Sequence, residues 1–470
     1  MSRISSLPSE SLDFRSRARA LLGSEEAAAI RLGTDRFAAL RRQAEGEYPP
    51  MEKMRARAGD IRRHTVAHLG HYVSRFVENL EAVGGVAHIA SGAEEACAII
   101  GGLVGARGSV VVKSKSMLTE EIDLNQRLEA SGHRVVETDL GEFIVQLAGG
   151  SPSHLIAPAI HMNRAQIGRL FADRLQAPYT DDPIVLNEIA RAYLREIFLA
   201  ADVGISGANF GVAATGSIVT VTNEGNGRFI TTAPRVHIAV LGIERLVPSF
   251  SEMAVLLEVL ARSATGQRLS VYTNIVTGPR LPGEPDGPEE LHVVLVDNGR
   301  SNLLGGVFEE ALSCIRCGAC LNVCPVYREV GGHGYGSVYS GPIGAVISPL
   351  LFGEDAFGEL AYASTLCGAC LEACPVGIDL PRMLIAQRRR EALAGKIPGP
   401  AASLARRYSS LATRPSRFER LWRLARLATW PLARGGFISW LPGPGRAWTD
   451  HHVLRRPARR SFRRTQGDRQ

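Results

Sequence analysis

The chain has 470 residues, of which 45% are hydrophobic, 21% charged and 6% aromatic. That is an ordinary globular composition for two or three domains, and it excludes a lone peptide module, a fibrous protein and a disordered one. The net charge of +7 is uneven: from Pro400 onward there are sixteen Arg and no Lys against Glu419, Asp450 and Asp468, so the rest of the chain is mildly acidic.

No run of eighteen apolar residues occurs; the nearest, from Ala96, is interrupted by Arg107 and several glycines, so a membrane span is not expected. The first residues lack an apolar segment with a small-residue cleavage site, and the cytoplasm is the expected location. In chain order, residues 1–60 predict a helical N-terminal arm, interrupted by Pro49 and Pro50. From Ile61 a helix is expected, with Val66, Leu69, Val73, Phe76 and Leu80 at three-to-four-residue spacing.

Residues 61–301 read as an α/β domain with a largely parallel sheet, because short β-branched runs alternate with longer helical stretches. Strands are expected from Ser109, Arg134, His154, Ser217, Arg235, Leu269 and Leu291. Helices are expected with caps at Thr119 and Asn163, and after Asp182 with Pro183 in the first turn. Residues 302–395 hold the cysteine region, and residues 396–470 form a basic extension containing Trp422, Trp430, Trp440 and Trp448.

Seven of the eight cysteines fall between Cys314 and Cys374. In a chain without a secretory signal, that clustering points to metal rather than disulfides. Cys314, Cys317, Cys320 and Cys324 have the C-x2-C-x2-C-x3-C-P spacing, in which three thiolates grip one cluster and the fourth reaches another. Cys367, Cys370 and Cys374 repeat it, with Ser364 where the first cysteine would stand. If the runs face one another, ligation is crossed: Cys314, Cys317, Cys320 and Cys374 take cluster one, and Cys324, Cys367 and Cys370 take cluster two.

Structural zinc is the alternative, but zinc favours two pairs of ligands over a run of four ending in Cys-Pro. The 42 residues between Cys324 and Cys367 are too many for a small β-containing ferredoxin. With helix expected in the later part of the stretch from Gly341, the module reads as an α-helical ferredoxin. Three thiolates on cluster two suit either [3Fe-4S] or [4Fe-4S] with a fourth ligand of oxygen, solvent or a partner. Serine is a hard ligand, so the ordinary reading of Ser364 is a helix cap.

Other candidates carry plainer alternatives. Asn223, Glu224, Asn226 and Arg228 follow a strand and could contact an anion, or could simply form the Asn/Gly turn of a hairpin. His161 follows the expected strand at His154, where ligands often bind in open α/β sheets, though a lone histidine there is more often a polar loop residue. Cys97 reads as the buried face of a helix. There is no dinucleotide fingerprint, phosphate loop or nucleophile elbow. For the Trp-containing tail, partner docking is favoured over an acidic membrane surface, with nucleic acid last.

The run from Ser313 through Pro349, joined to "AYASTLCGACLEACPV" and preceded by "PAIHMNR" and "ANFGVAATGSIVTVTNEGNGR", resembles the lactate utilisation protein B family over nearly the whole chain. The resemblance implies a LUD domain, related in fold to sugar-phosphate isomerases and CoA-transferases, followed by an all-α ferredoxin module with two [4Fe-4S] clusters on these seven cysteines. It also implies a part in oxidising L-lactate to pyruvate beside a cysteine-rich CCG-domain subunit and a second LUD protein. Electrons would leave singly through the clusters to a quinone or other acceptor. The competing readings are a stand-alone LUD enzyme on an anionic metabolite with redox-sensing clusters, and an iron–sulfur subunit of a related glycolate or heterodisulfide system.

Overall fold

A computed structural model describes residues 13–396 and 399–458. The expectations for residues 1–12, for the linker at 397–398 and for 459–470 lie outside the described residues. The chain divides into two compact units, Met1–Arg390 and Glu391–Gln470.

The first unit opens with helices Phe14–Leu21, Glu25–Gly46 and Met51–Ala67. Ser24 caps the second by accepting from the Ala27 N–H, and the Pro49–Pro50 pair separates it from the third, as the sequence requires. The helix expected from Ile61 is the end of this third helix. His68 then interrupts the pattern, and a new helix covers Leu69–Ala82.

Ten strands follow: β1 (Val86–Ala90), β2 (Val110–Lys113), β3 (Arg134–Glu137), β4 (Val203–Gly207), β5 (Phe210–Val212), β6 (Ser217–Thr222), β7 (Val236–Gly242), β8 (Leu246–Val247), β9 (Tyr272–Val276) and β10 (Glu290–Val296). Six form a parallel sheet in the order β1-β10-β7-β4-β2-β3. β7 is buried at every position, as a strand covered on both faces must be. The chain steps from β2 outward to β3, then returns past β2 to β4 and continues the other way through β7 and β10. The carboxyl ends of β2 and β4 therefore flank a topological switch point, the usual place for a ligand crevice. A smaller mixed sheet, β8-β5-β6-β9, lies beside it in the chain order.

Several elements differ from the sequence reading. His154–Ala157 is not a strand, because the buried His154 ring accepts the Ile156 and Ala157 N–H groups (3.1 and 3.3 Å) that a ladder would need. Ser116, not Thr119, caps the helix Met117–Glu121. Asn226 opens a helix to Thr232 rather than a hairpin turn, so β6 finds β9, not a following hairpin arm, as its second partner. The stretch from Gly341 is helical in its later part, at Glu354–Phe357 and the tighter turn Gly358–Tyr362, as expected, and also earlier than expected, at Gly341–Phe352, started by Pro342 in its first turn. β4 escapes a propensity reading through its glycines; a Cβ on Gly204 would stand 2.1 Å from the Ile230 carbonyl oxygen. The caps at Asn163 and Asp182 are present.

At the end of β2, Lys113 is fully buried and pairs with Glu137 at 2.7 Å, while donating to Thr119 Oγ1 at 2.9 Å. The Lys113→Ala variant leaves Glu137 buried without its cation and should lower unfolding stability by ~3–5 kcal/mol in denaturant titration. An effect within about 0.5 kcal/mol would show that the pair is dispensable.

The second unit packs helices Gly399–Ala412 and Pro415–Ala428 together and ends in a three-stranded antiparallel ribbon. Trp422 donates to the Ala458 carbonyl, whereas Trp430, Trp440 and Trp448 are exposed. Among the described residues no helix is long and apolar enough to cross a membrane.

Candidate functional site

The two cysteine runs fold into matching loops. Each turns through a left-handed residue just before its second position and a left-handed glycine just after: Arg316 (φ 58°) and Gly318 (74°) in the first, Leu366 (54°) and Gly368 (87°) in the second. Each glycine starts a short helix, Ala319–Asn322 or Ala369–Ala373, and these two helices pack against one another. Gly318 (φ 74°) suits the left-handed turn, and a Cβ there would also crowd the His154 ring at 3.3 Å.

This packing sorts the thiols into two groups. Cys314, Cys317, Cys320 and Cys374 line one cavity with Leu155, Ile343 and Ile378. Burial, and then repulsion from Cys374 and Cys314, pushes the Cys317 thiol up to about 12; burial and its neighbouring cysteines raise Cys320 as well. In the second group, burial followed by Cys324 and Cys367 pushes Cys370 up to about 12. Cys367 is exposed, and hydrogen bonds from Thr365 and the Ala369 N–H hold its thiol low. Cys97 belongs to neither group: it is buried on the helix Ala93–Val104, and burial pushes it up to about 11.

Buried thiols that resist ionisation singly and repel one another collectively need a multivalent cation to become thiolates. Backbone N–H groups already point at sulfur, from Arg316 to Cys314 (3.4 Å), Tyr327 to Cys324 (3.5 Å) and Ile378 to Cys374 (3.3 Å). Soft donors with amide hydrogen bonds suit iron–sulfur clusters. Among the described residues, no group of three or more His, Cys, Asp or Glu is arranged to hold a single metal ion.

The first loop is held from the α/β side by buried arginines. Arg62 donates to the carbonyls of Glu244, Leu246 (2.7 Å), Leu312 (3.0 Å) and Ser313 (3.3 Å). Arg245 donates to Cys314 (2.6 Å), Ile315 (3.3 Å) and Asn209 (2.7 Å) carbonyls. Arg300 binds both oxygens of Glu121 at 2.8 and 2.7 Å and reaches Glu244 at 2.7 Å. Tyr339 donates to Glu121 at 2.5 Å, and the Arg316 guanidinium lies over the Tyr339 ring at 4.3 Å.

Beside this network, at the sheet's switch point, is a cavity of about 490 Å³. Ser114, Lys115, Asn209, Glu224, Arg316 and Tyr339 are among its lining. Lys115 donates to the Leu155 carbonyl and makes no ion pair among the described residues. The Ser114 hydroxyl and Arg316 Nη1 are buried without a hydrogen-bond partner among the described residues. Burial, then the Asp139 carboxylate, pushes Glu224 up to about 7.

Of the sequence candidates, Asn223, Glu224 and Asn226 line this cavity, whereas Arg228 is exposed outside it. His161 lies away from it, stacked edge-on against His333 at 4.7 Å, where burial and His333 push it down to about 4. Ser364 does not cap a helix; the helix after it starts from Gly368. Lys115, Arg62, Arg245 and Arg300 belong to no motif and were not legible, and Tyr339 lies inside the run that carries the resemblance without any role being read for it. Arg316 could have been noticed as the cation inside the first cysteine run.

With this geometry in hand, two family descriptions match: the LUD domain over residues 73–296 and the 4Fe-4S dicluster domain over residues 310–378. The chain is 48% identical to lactate utilization protein B of Bacillus licheniformis, over 93% of this chain and 92% of that one. Identity is 47% to the protein of the same name from Bacillus subtilis, with the same coverage, and 49% to that of Geobacillus thermodenitrificans, over 88% of this chain and 87% of that one. The chain belongs to the lactate utilization protein B family. Its α/β part is thus a LUD domain and its helical part a 4Fe-4S dicluster domain.

His333 makes a 2.6 Å ion pair with Glu26 of the N-terminal arm and contacts the Ser151 carbonyl at 2.8 Å. Burial opposes the histidinium, but these partners outweigh it and raise His333; burial likewise opposes the carboxylate, yet His333 holds Glu26 low. The histidine contribution is therefore full below the unfolded histidine value and lost as pH rises through the folded one. The carboxylate contribution is full above the unfolded carboxylate value and lost as pH falls through the folded one. The Glu26→Gln variant should lose stability most between these limits, and its melting temperature should vary less with pH across the His333 titration; parallel curves would refute the pairing.

Proposed function

We propose that this protein is an electron-transfer subunit of an L-lactate-oxidising system, holding two [4Fe-4S] clusters. The observation that carries the reading is the packing of the two cysteine loops through their short helices, with Cys314, Cys317, Cys320 and Cys374, drawn from both runs, lining one cavity and Cys370 next to Cys324 and Cys367. Cys314, Cys317, Cys320 and Cys374 would hold the first cluster, and Cys324, Cys367 and Cys370 the second. Bound clusters of this kind accept and return one electron at a time. The chain's own part is to fix the first loop through Arg62 and Arg245, supply amide donors to sulfur and bring the two groups side by side. The names carried by its relatives support lactate as the substrate of the system, with pyruvate as the product. Its expected partners are a cysteine-rich CCG-domain subunit and a second LUD protein, with a quinone or another acceptor beyond them. The exposed tryptophans of the basic tail suit docking to such a partner or to the inner membrane face.

Anaerobically purified protein should contain iron and sulfide for two clusters, and L-lactate with the partner proteins should bleach their visible absorbance. Material that binds only zinc, or clusters left unbleached, would overturn the reading. Cys320→Ala and Cys370→Ala should each remove about half of the iron, since they touch different groups.

The cavity favours a second reading, in which the LUD domain binds an anionic metabolite and the clusters sense redox state. Arg316 Nη1 and the Ser114 hydroxyl supply unmatched donors, and Lys115 a cation outside any ion pair among the described residues, for a carboxylate or phosphate. Under this reading L-lactate or pyruvate binds the isolated full chain by calorimetry, and Lys115→Ala weakens binding about tenfold or more. Absence of heat with either acid would leave only the relay.

A further inference from the structure

The second cysteine run is one thiolate short, and Ser364 occupies the missing position. Laid residue on residue, Cys314-Ile315-Arg316-Cys317-Gly318-Ala319-Cys320 corresponds to Ser364-Thr365-Leu366-Cys367-Gly368-Ala369-Cys370. The backbones agree at the two positions where conformation is least free. Among the described residues, five non-glycine residues have positive φ, and Arg316 and Leu366 are two of them, within a few degrees of each other. A leucine accepts the left-handed region only where the surroundings enforce it.

The side chains at the first position agree as well. The Arg316 N–H donates to Cys314 Sγ at 3.4 Å, and the Leu366 N–H donates to Ser364 Oγ at 3.1 Å. Allowing for the smaller oxygen, Ser364 Oγ stands to its loop as Cys314 Sγ stands to the first. The position is also pinned from behind, since Arg388 donates to the carbonyls of Ala361 and Ser364, both at 2.9 Å. A residue serving only as a solvated turn has no need of that support.

We infer that Ser364 is the fourth protein ligand of the second cluster, binding through Oγ the one iron that no thiolate reaches. Binding gives up the hydroxyl proton to solvent as the iron–oxygen bond forms in place of a bound water; no electron is transferred. The inference rests on the two-cluster reading above. It adds that the second cluster is a four-iron cluster with one hard oxygen ligand, and that its unique iron is held less firmly than the others. The neighbouring Cys367 is exposed, so this corner faces solvent.

The test uses the full chain purified without air, as wild type, Ser364→Ala and Ser364→Cys. Iron and sulfide are counted, and electron paramagnetic resonance is recorded before and after brief ferricyanide oxidation. Wild type should contain eight irons, within error, by the two-cluster count. Ser364→Ala should give several-fold more of the oxidised three-iron signal, and Ser364→Cys several-fold less, with the first cluster unchanged as an internal control. Equal signals in all three proteins, meaning that solvent or nothing fills the corner, would overturn the assignment while leaving the two-cluster reading intact. A wild type without iron and sulfide would instead overturn that reading itself. Should the alanine variant fail to assemble, Ser364→Gly takes its place, because it too removes the oxygen: several-fold more three-iron signal than wild type supports the assignment, and an unchanged signal overturns it.

Discussion

The first thiolate loop depends on two arginines that lie far from it in the sequence. Leu312, Ser313, Cys314 and Ile315 turn their carbonyls into the protein, where water is not there to satisfy them, and Arg62 and Arg245 supply the donors. A buried carbonyl without a partner costs about 1–3 kcal/mol, so a loop with four of them would not hold its shape alone. Burial, and then the neighbouring Arg245, lower the pKa of Arg62 from its ordinary value to about 9. The arginines are kept charged because they sit among carbonyl dipoles and beside Glu244, whose carboxylate also binds Arg300 through Oε2 and pairs with Arg316 through Oε1 at 3.7 Å. The ferredoxin loop is thus built on the edge of the α/β core, and residues from Met1 to Arg390 form one compact unit.

What was readable in the sequence follows from how local each signal is. Cysteine spacing, the Asn163 and Asp182 caps and the strongly β-branched strands depend on neighbours within a few residues, and they were legible. His154 misled because its apolar context predicts a strand, while its ring replaces the ladder by capturing backbone N–H groups and reaching Asn322 at 3.0 Å. β1 and β4 are carried by the partners they find in the sheet rather than by their own propensity. The buried arginines were invisible for the opposite reason: nothing near Arg62 in the sequence distinguishes it from the surface arginines around it, and only long-range packing does.

The same distinction applies to the site. The grouping expected for the seven cysteines comes from their spacing and from the condition that the two runs face one another, and Cys314, Cys317, Cys320 and Cys374 do line one cavity. The cavity at the switch point could not be read in this way, since Lys115 and Asn209 come from segments brought together by the order of the parallel strands, and Arg316 from the first cysteine loop packed against them. Asn223, Glu224 and Asn226 were noticed for their turn-forming chemistry and reach the cavity because Asn226 begins a helix instead of closing a hairpin.

Arg316 sits in both places at once, between two cysteines of the first group and in the cavity wall. One guanidinium therefore faces two potential sources of negative charge: an anion entering the cavity and an electron arriving on the adjacent cage. Each would draw on the same positive field, so each would weaken the other. Thermodynamic reciprocity makes the two effects equal: whatever factor separates anion affinity in the oxidised and reduced protein must also separate the ease of reduction with the cavity full and empty.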